Sequence, residues 1–352
     1  MTKKIEEQIY LVTGGAGFIG SNFIRYMINN YSHIHIINLD KMTYAADQEN
    51  LCDVKKNGRY QFIQGDICNR ALIDTVFNEY DIAGVFHFAA ESHVDNSIED
   101  PGEFFQTNVI GTYQVIDAAR KKWMSSPFVI KPKYSNCRFL HVSTDEVFGT
   151  LGDEGLFKEN SPYSPNSPYS ASKAGADFVV RSYHSTFGLN VVTTNCSNNY
   201  GPYQHDEKLI PTIIRKAING EKIPIYGDGK NIRDWLFVED HCKAIDLVFN
   251  KSVAGETYNI GGFCELTNIE IAYKICDIMD KLMPRGTLLG SHRDLITYVT
   301  DRPGHDKRYA IDSSKIMREL GWKPQENIED GLMRTIRWYL SKYKAKNEVG
   351  VI

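Results

Sequence analysis

A short apolar strand, residues 9–13, runs straight into the turn Gly14-Gly15-Ala16-Gly17-Phe18-Ile19-Gly20, which then opens a helical pattern. No other stretch of the chain restricts its fold as much. Glycines at such spacing suit a strand that reverses tightly into a helix, a backbone that approaches a bound pyrophosphate, and a helix packed close on a sheet. Gly15, Gly17 and Gly20 satisfy G-x-G-x-x-G, while Gly14, Gly17 and Gly20 satisfy the related G-x-x-G-x-x-G. The helix start offers free N–H groups and the positive end of its dipole to the phosphates. Asp40 closes the second strand twenty residues past Gly20. A carboxylate there accepts hydrogen bonds from an adenosine ribose and repels a 2′-phosphate, so the expected cofactor is NAD rather than NADP. Asp66-Ile67, ending the third strand, is a candidate adenine contact, although a buried-turn carboxylate fits the same residues.

The first half continues as alternating short apolar runs and helical patterns, the signature of a parallel sheet with crossover helices. Strands are expected over 9–13, 35–39, 60–64, 85–88, 138–142 and 191–194, with helices over 18–29, 104–121 and 169–186. The strands are nearly unbroken apolar runs, as expected where both sheet faces are covered. After about Asn198 the texture changes to loops rich in Gly, Pro, Asn and Asp, such as SNNYGPYQHDEK, YGDGKNIRDW and DRPGHDKRY. Long loops of this kind commonly cover a ligand. The expected fold is α/β, a Rossmann-type doubly wound parallel sheet with a smaller, interleaved α/β substrate-binding domain. The expected division gives 1–197 plus about 236–262 to the dinucleotide-binding domain and about 198–235 plus 263–346 to the other.

At 352 residues and 42% hydrophobic, the chain has enough apolar material for a sizeable core. A net charge of −4 gives no bulk reason to expect nucleic acid or an anionic membrane as a partner. The start, MTKKIEEQ, is too charged and short for a signal peptide, and no apolar run is long enough to span a bilayer. Seven scattered cysteines without a C-x-x-C pair fit reduced thiols in the cytoplasm. His33 and His35 sit in an apparent strand and read as structural; no metal is expected.

Two features carry reaction chemistry. Ser167-Pro168 looks like a helix start, Ser167 as N-cap and Pro168 at the first helical position. Tyr169 and Lys173 then share a helix face, the tyrosine as acid/base and the lysine lowering its pKa. A second Tyr-x-x-x-Lys, Tyr226 and Lys230, falls in a Gly-Asp-Gly turn and lacks that geometry. The strand preceding the Tyr169 helix ends in Thr144-Asp145-Glu146, at the carboxyl edge where open α/β sheets bind ligands. Two adjacent acids divide acid and base roles if their environments split their pKa values. A solvated acidic turn is the bland alternative, which the position after a buried strand disfavours.

These residues resemble the dTDP-glucose 4,6-dehydratases of the extended short-chain dehydrogenase/reductase group. So do Ala89-Ala90-Glu91-Ser92-His93-Val94-Asp95, Asn198-Asn199-Tyr200-Gly201-Pro202-Tyr203, Arg233-Asp234-Trp235 and Arg302-Pro303-Gly304-His305-Asp306. The likeness runs from about residue 8 to about residue 340. It implies C4 oxidation by NAD with Tyr169 as base and Thr144 alongside, then loss of water across C5 and C6 with Glu146 as base and Asp145 as acid. Hydride return to C6 would give a 4-keto-6-deoxy sugar nucleotide. Cofactor contacts implied by the resemblance are Phe18, Ile19, Asp40, Lys41, Met42, Thr43, Asp66, Ile67, Phe88, Ala89, Ala90, Glu91, Ser92, Thr107, Tyr169, Lys173 and Asn199. Implied substrate contacts are Ser92, Thr144, Asn198, Lys208, Leu209, Pro224, Ile225, Tyr226, Arg233, Asn268, Asp301, Arg302, Pro303, Gly304 and His305. Lys208, Arg233 and Arg302 would give an acidic protein a local basic pocket for a diphosphate. A homodimer built from the 104–121 and 169–186 helices is also implied. Phe148, Ala46-Asp47 and His205-Asp206 depart from the family pattern, where a tyrosine, Gly-Asn and Phe-Pro are expected. Competing readings are a UDP-sugar 4-epimerase or decarboxylase, which needs no acid/base pair aimed at C5 and C6, and a silent NAD-sensing regulator, which would tend to lose Tyr169 or Lys173.

Overall fold

The computed structural model describes residues 7–286 and 288–348. The charged MTKKIE start, read above as no signal peptide, lies outside the described residues. Seven parallel strands form the central sheet: β1 (Gln8–Thr13), β2 (Ile34–Asp40), β3 (Tyr60–Gln64), β4 (Ile82–His87), β7 (Arg138–Thr144), β8 (Val191–Cys196) and β12 (Thr257–Ile260). The order is β12-β8-β7-β4-β1-β2-β3, so the chain winds outward in both directions from the β1/β4 junction. That junction is the switch point at which doubly wound sheets open a ligand crevice.

Helices cover both faces. On one side α1 (Phe18–Asn30) and α8 (Val238–Lys251) bury Phe23, Met27, Ile245 and Phe249 against Val12, Phe86 and Leu140. On the other, α2 (Arg70–Glu79), α5 (Thr112–Trp123) and α6 (Pro168–Phe187) bury Val76, Ile116 and Val180 against Leu11, Val85 and Phe139. Successive strand residues point to opposite faces, which is why Leu11-Val12, Val85-Phe86 and Phe139-Leu140 are apolar at both positions. Each such burial contributes about 1.5–3 kcal/mol. The expected strand over 85–88 starts earlier and stops at His87, although the Phe88 N–H still reaches the Thr13 carbonyl at 3.1 Å.

The expected helix over 104–121 is not one regular helix. Short segments α3 (Val94–Glu99) and α4 (Pro101–Phe105) lead into a π-helical turn, Gln106–Gly111, before α5 begins. Asn108, inside that turn, clamps the backbone of Glu91 at both ends, 2.8 Å from its N–H and 3.0 Å from its carbonyl. A wide turn beside the cleft positions a side chain that a regular helix would carry round to another angle.

Beyond β8 the chain builds a smaller lobe. β9 (Asn198–Tyr200), β11 (Ile232–Phe237) and β13 (Glu265–Thr267) form one small sheet, and β10 (Ile223–Tyr226) pairs with β14 (Ile296–Val299). A hairpin of β5 (Met124–Ser126) and β6 (Val129–Ile130) caps the far end of α5. Helices α7 (Leu209–Ile218), α9 (Asn268–Leu282) and α11 (Ile328–Glu348) enclose a separate apolar core around Ile213, Ile275, Leu332 and Tyr339. The remaining helix, α10 (Ser314–Leu320), packs on the large sheet's edge strand β12. All seven cysteines are free thiols. Among the described residues, no helix is long and apolar enough to cross a membrane, and no group of three or more His, Cys, Asp or Glu is placed to hold a metal.

Candidate active site

The glycine turn is held from below by buried polar side chains. Asn38 accepts the Gly15 N–H at 3.1 Å, and Asp40 accepts Ala16 N–H and Met42 N–H, each at 2.8 Å. Asp40 therefore shapes both the turn and the left-handed backbone of Met42, at φ 62°, while each oxygen keeps a lone pair for a ligand. Gly14 has φ +70°, and a Cβ there would lie 2.6 Å from the Ala89 nitrogen. Gly17 caps α1 without any side-chain bond, so the first N–H groups of that helix face the crevice uncommitted. This is a cradle shaped for a pyrophosphate, with a carboxylate where an unphosphorylated ribose belongs.

One continuous cleft of about 320 Å³ runs from this turn to the carboxyl ends of β7 and β8. Its walls include Gly14, residues 17–20, Asp40, Lys41, Thr43, Asp66, Ile67, residues 88–92, Thr107, Thr144, Asp145, Glu146, Tyr169, Lys173, Asn198, Asn199 and Lys208. Of the expected cofactor residues only Met42 does not line it. Asp66 gives one oxygen to the Cys68 N–H and pairs with Lys41 at 3.0 Å, which also binds Glu103 at 2.8 Å.

The reacting groups stand on β7 and α6. Ser167 caps α6 by accepting the Ser170 N–H at 3.1 Å, and Pro168 occupies the first turn, as the sequence suggested. Tyr169 and Lys173 are both buried. Burial drives the Tyr169 phenol well above its ordinary value, with Glu146 adding to the rise and the Thr144 hydroxyl pulling it back. Lys173 donates to the Val142 carbonyl at 2.8 Å. Burial lowers its pKa, against the pull of Asp177.

Asp145 and Glu146 are neighbours in very different surroundings. Asp145 is 2% exposed, and its Oδ2 has no hydrogen-bond partner. Burial first, then the nearby Glu146 and Asp234 carboxylates, push it far above the usual carboxyl range and favour its protonated form. Glu146 is also raised by burial, but Arg233, Arg302 and Lys208 all favour its charge, and Ser170 donates to its Oε2 at 3.2 Å. One carboxyl is kept as an acid; the other is offered cations. Neighbouring carboxyls in surroundings that differ in this way can divide acid and base work.

The basic residues come from the start of α7, from β11 and from the 301–305 loop. Lys208 donates to the Ser92 carbonyl at 3.0 Å, Arg302 pairs with Asp95 at 3.3 Å, and Arg233 stacks on Tyr309 at 4.2 Å and donates to the Asp306 carbonyl at 3.0 Å. Arg233, Arg302 and the 301–305 loop stand outside the cofactor cleft proper, at its small-lobe end, with His305 on Asp301 at 2.6 Å. Leu209, Pro224, Ile225, Tyr226 and Asn268 lie farther along this lobe. Ile225 packs into its apolar core, whereas Tyr226 is exposed. Tyr226 ends β10, and Gly227 and Gly229 adopt φ +55° and +73°, so Tyr226 and Lys230 flank a turn and do not share a helix.

Several wall residues escaped sequence reasoning: Val142, Ser143, Cys196, Ser197, Gln204 and Glu207. Strand periodicity carries no sign of which strand end faces a cleft. His205, noted only as a departure, stacks edge-on with Tyr44 at 5.9 Å and also lines the cleft. Ala46, of a second departure, lines the cleft too, and Phe148, the third, is buried against Phe157 at 5.2 Å.

Comparison with known proteins agrees with this geometry. A family model described as GDP-mannose 4,6 dehydratase matches residues 11–335. A dTDP-glucose 4,6-dehydratase of Xanthomonas campestris pv. campestris (strain B100) is 53% identical, over 94% of this chain and 93% of its own. One from Neisseria meningitidis serogroup B is 52% identical over 94% of this chain and 92% of its own. The crystal structure of the Streptomyces venezuelae dTDP-glucose 4,6-dehydratase, with NAD bound, superposes at TM-score 0.86 with 43% identity, covering 96% of this chain and 98% of that one. A UDP-glucose 4-epimerase from Thermotoga maritima reaches 0.82 at only 25% identity, covering 96% and 100%. The fold is thus shared with epimerases at 25% identity, while the dehydratases reach 43–53%, and the chain belongs to the dTDP-glucose 4,6-dehydratase family.

Proposed function

We propose that this protein is an NAD-dependent dTDP-glucose 4,6-dehydratase, a hydro-lyase that converts the substrate to dTDP-4-dehydro-6-deoxyglucose. The observation that carries the reading is the pair Asp145 and Glu146, adjacent in sequence and opposite in environment, at the carboxyl end of β7 one wall away from Tyr169. NAD held on the glycine turn and Asp40 supplies the acceptor, and later the donor, of a hydride. Tyr169 takes the proton of the sugar 4-hydroxyl, with Thr144 hydrogen-bonded to the phenol. A ketone at C4 makes the C5 proton acidic, and Glu146, whose charge Arg233, Arg302 and Lys208 favour against burial, removes it. Asp145, whose burial favours the protonated form, gives its proton to the departing C6 hydroxyl, water leaves, and the C5–C6 alkene would then take the stored hydride at C6 and a proton at C5. Lys208, Arg233 and Arg302 hold the negative end of the sugar nucleotide.

The division of labour between the large domain (1–197 with about 236–262) and the small one belongs to the same proposal. So does a homodimer. Phe105, Ile110, Tyr113 and Phe178, on the helical stretches of α4 to α6, are all more than 40% exposed and unusually apolar for a surface. Gel filtration of Phe178→Glu should show a shift towards the monomer. A full set of free thiols fits the reducing cytoplasm.

The test is direct. Purified protein with NAD should convert dTDP-glucose into a keto product that absorbs in alkali, ahead of UDP-, CDP- and GDP-hexoses. Absence of product with any of the four would reject the reading.

A further inference from the structure

The face of α6 that carries Tyr169 and Lys173 continues one turn further to Asp177, which no step above uses. Residues four apart share a helix face. Asp177 is 5% exposed, and its carboxylate is held by neutral donors. Ser143 donates to Oδ2 at 2.8 Å and Tyr163 at 2.9 Å, while His141 Nε2 lies 3.0 Å from Oδ1. His141 is fully buried, and burial lowers its pKa, so the ring is neutral and donates a hydrogen bond without bringing a charge. The three donors thus hold the Asp177 carboxylate in place, with no lysine or arginine among them.

The same strand serves both members of the pair. His141 and Ser143, on one face of β7, bind Asp177, the Val142 carbonyl between them receives Lys173 at 2.8 Å, and Thr144 is the hydroxyl next to Tyr169. We propose that Asp177 is a positioning residue: its caged carboxylate is the fixed counter-charge that keeps Lys173 an ammonium one turn from Tyr169. This rests on the dehydratase reading for its link to turnover, but not for the charge of Lys173 itself. A buried amine with one carbonyl partner loses its proton readily, and a neutral amine gives the phenol no help in ionising.

The titratable groups facing this pair are known from each element. They are His87 of β4, His141 of β7, Tyr163 of the preceding loop, Cys196 of β8 and Tyr169 of α6, with Arg181 acting on Tyr163 from the exposed side of α6. Burial favours the neutral form of both histidines and pushes the Cys196 thiol up to about 12, so of the named groups only Arg181 brings a charge, and it acts on Tyr163.

The test uses the NAD holoenzyme. Asp177→Asn should move the acid limb of kcat/KM upward by at least one pH unit, costing about tenfold at neutral pH and recovering in alkali. KM should be unchanged. Asp177→Glu, which restores the charge, should return the limb to its original position. In a Lys173→Met background, Asp177→Asn should add nothing. A uniform loss at every pH, or an unmoved limb, would overturn the proposal. Nitrogen NMR of labelled Lys173 in the unaltered protein gives an answer that depends on neither folding of a variant nor dehydratase activity. An ammonium at neutral pH is expected, and a neutral amine would refute the idea even if the protein proved to catalyse another reaction.

Discussion

Replacing Asp145 by Asn should make the protein more stable and nearly inactive, and the two effects should part company with pH. Asp145 is buried, one of its oxygens has no partner, and burial with two neighbouring carboxylates raises its pKa far above the usual range. Below the unfolded value of about 4, folded and unfolded chains both carry the proton, and the group contributes nothing to the pH dependence. Above it, the unfolded chain releases the proton while the folded chain keeps it, so ionisation favours unfolding. The penalty grows until pH passes the folded pKa, at about 1.4 kcal/mol for each unit separating the two values. Asp145→Asn keeps the shape and removes the titration. It should therefore melt close to the original protein at acid pH and progressively above it towards neutrality. The same change deletes the proton donor for the leaving hydroxyl, a loss of about a hundred- to ten-thousandfold in the elimination step, or roughly 3–5 kcal/mol of barrier. Calorimetry across the acid-to-neutral range and single-turnover product formation measure the two halves. A variant that melts lower at neutral pH than at acid pH relative to the original, or one that still eliminates water at an undiminished rate, would refute the reasoning.

Glu146→Gln should stop elimination by a comparable factor while C4 oxidation survives, seen as reduced NAD that accumulates in a single turnover and as lost exchange of the C5 proton with solvent. Equal loss of both steps would reject the assignment of Glu146 as the C5 base. Gly20→Ala places a methyl against the Gly14 carbonyl oxygen and 2.8 Å from the Gly15 Cα, backbone atoms that cannot step aside. NAD affinity, read by titration calorimetry, should fall at least tenfold. Arg233→Lys keeps the charge but loses the planar fork that stacks on Tyr309 and reaches Asp306. KM for the sugar nucleotide should rise about tenfold, with kcat changed far less.

The sequence alone determined the features that depend on neighbours along the chain. The glycine turn follows from backbone sterics, the Ser167 cap and Pro168 fix where α6 starts, and apolar runs mark the strands of a sheet covered on both faces. Tyr169 and Lys173 then share a helix face by arithmetic. Tertiary structure decided what depends on approach in space. Asp145 and Glu146 are equal on paper, and only the packing of β7, β11 and the 301–305 loop gives their carboxyls different neighbours. The π-helical turn at 106–111 arises because Asn108 must reach the Glu91 backbone, a partner seventeen residues away. Asp177 was invisible for the same reason. Its meaning lies in His141, Ser143 and Tyr163, brought in from a strand and a loop, and the charge state of a buried group is set by what surrounds it rather than by where it stands in the chain.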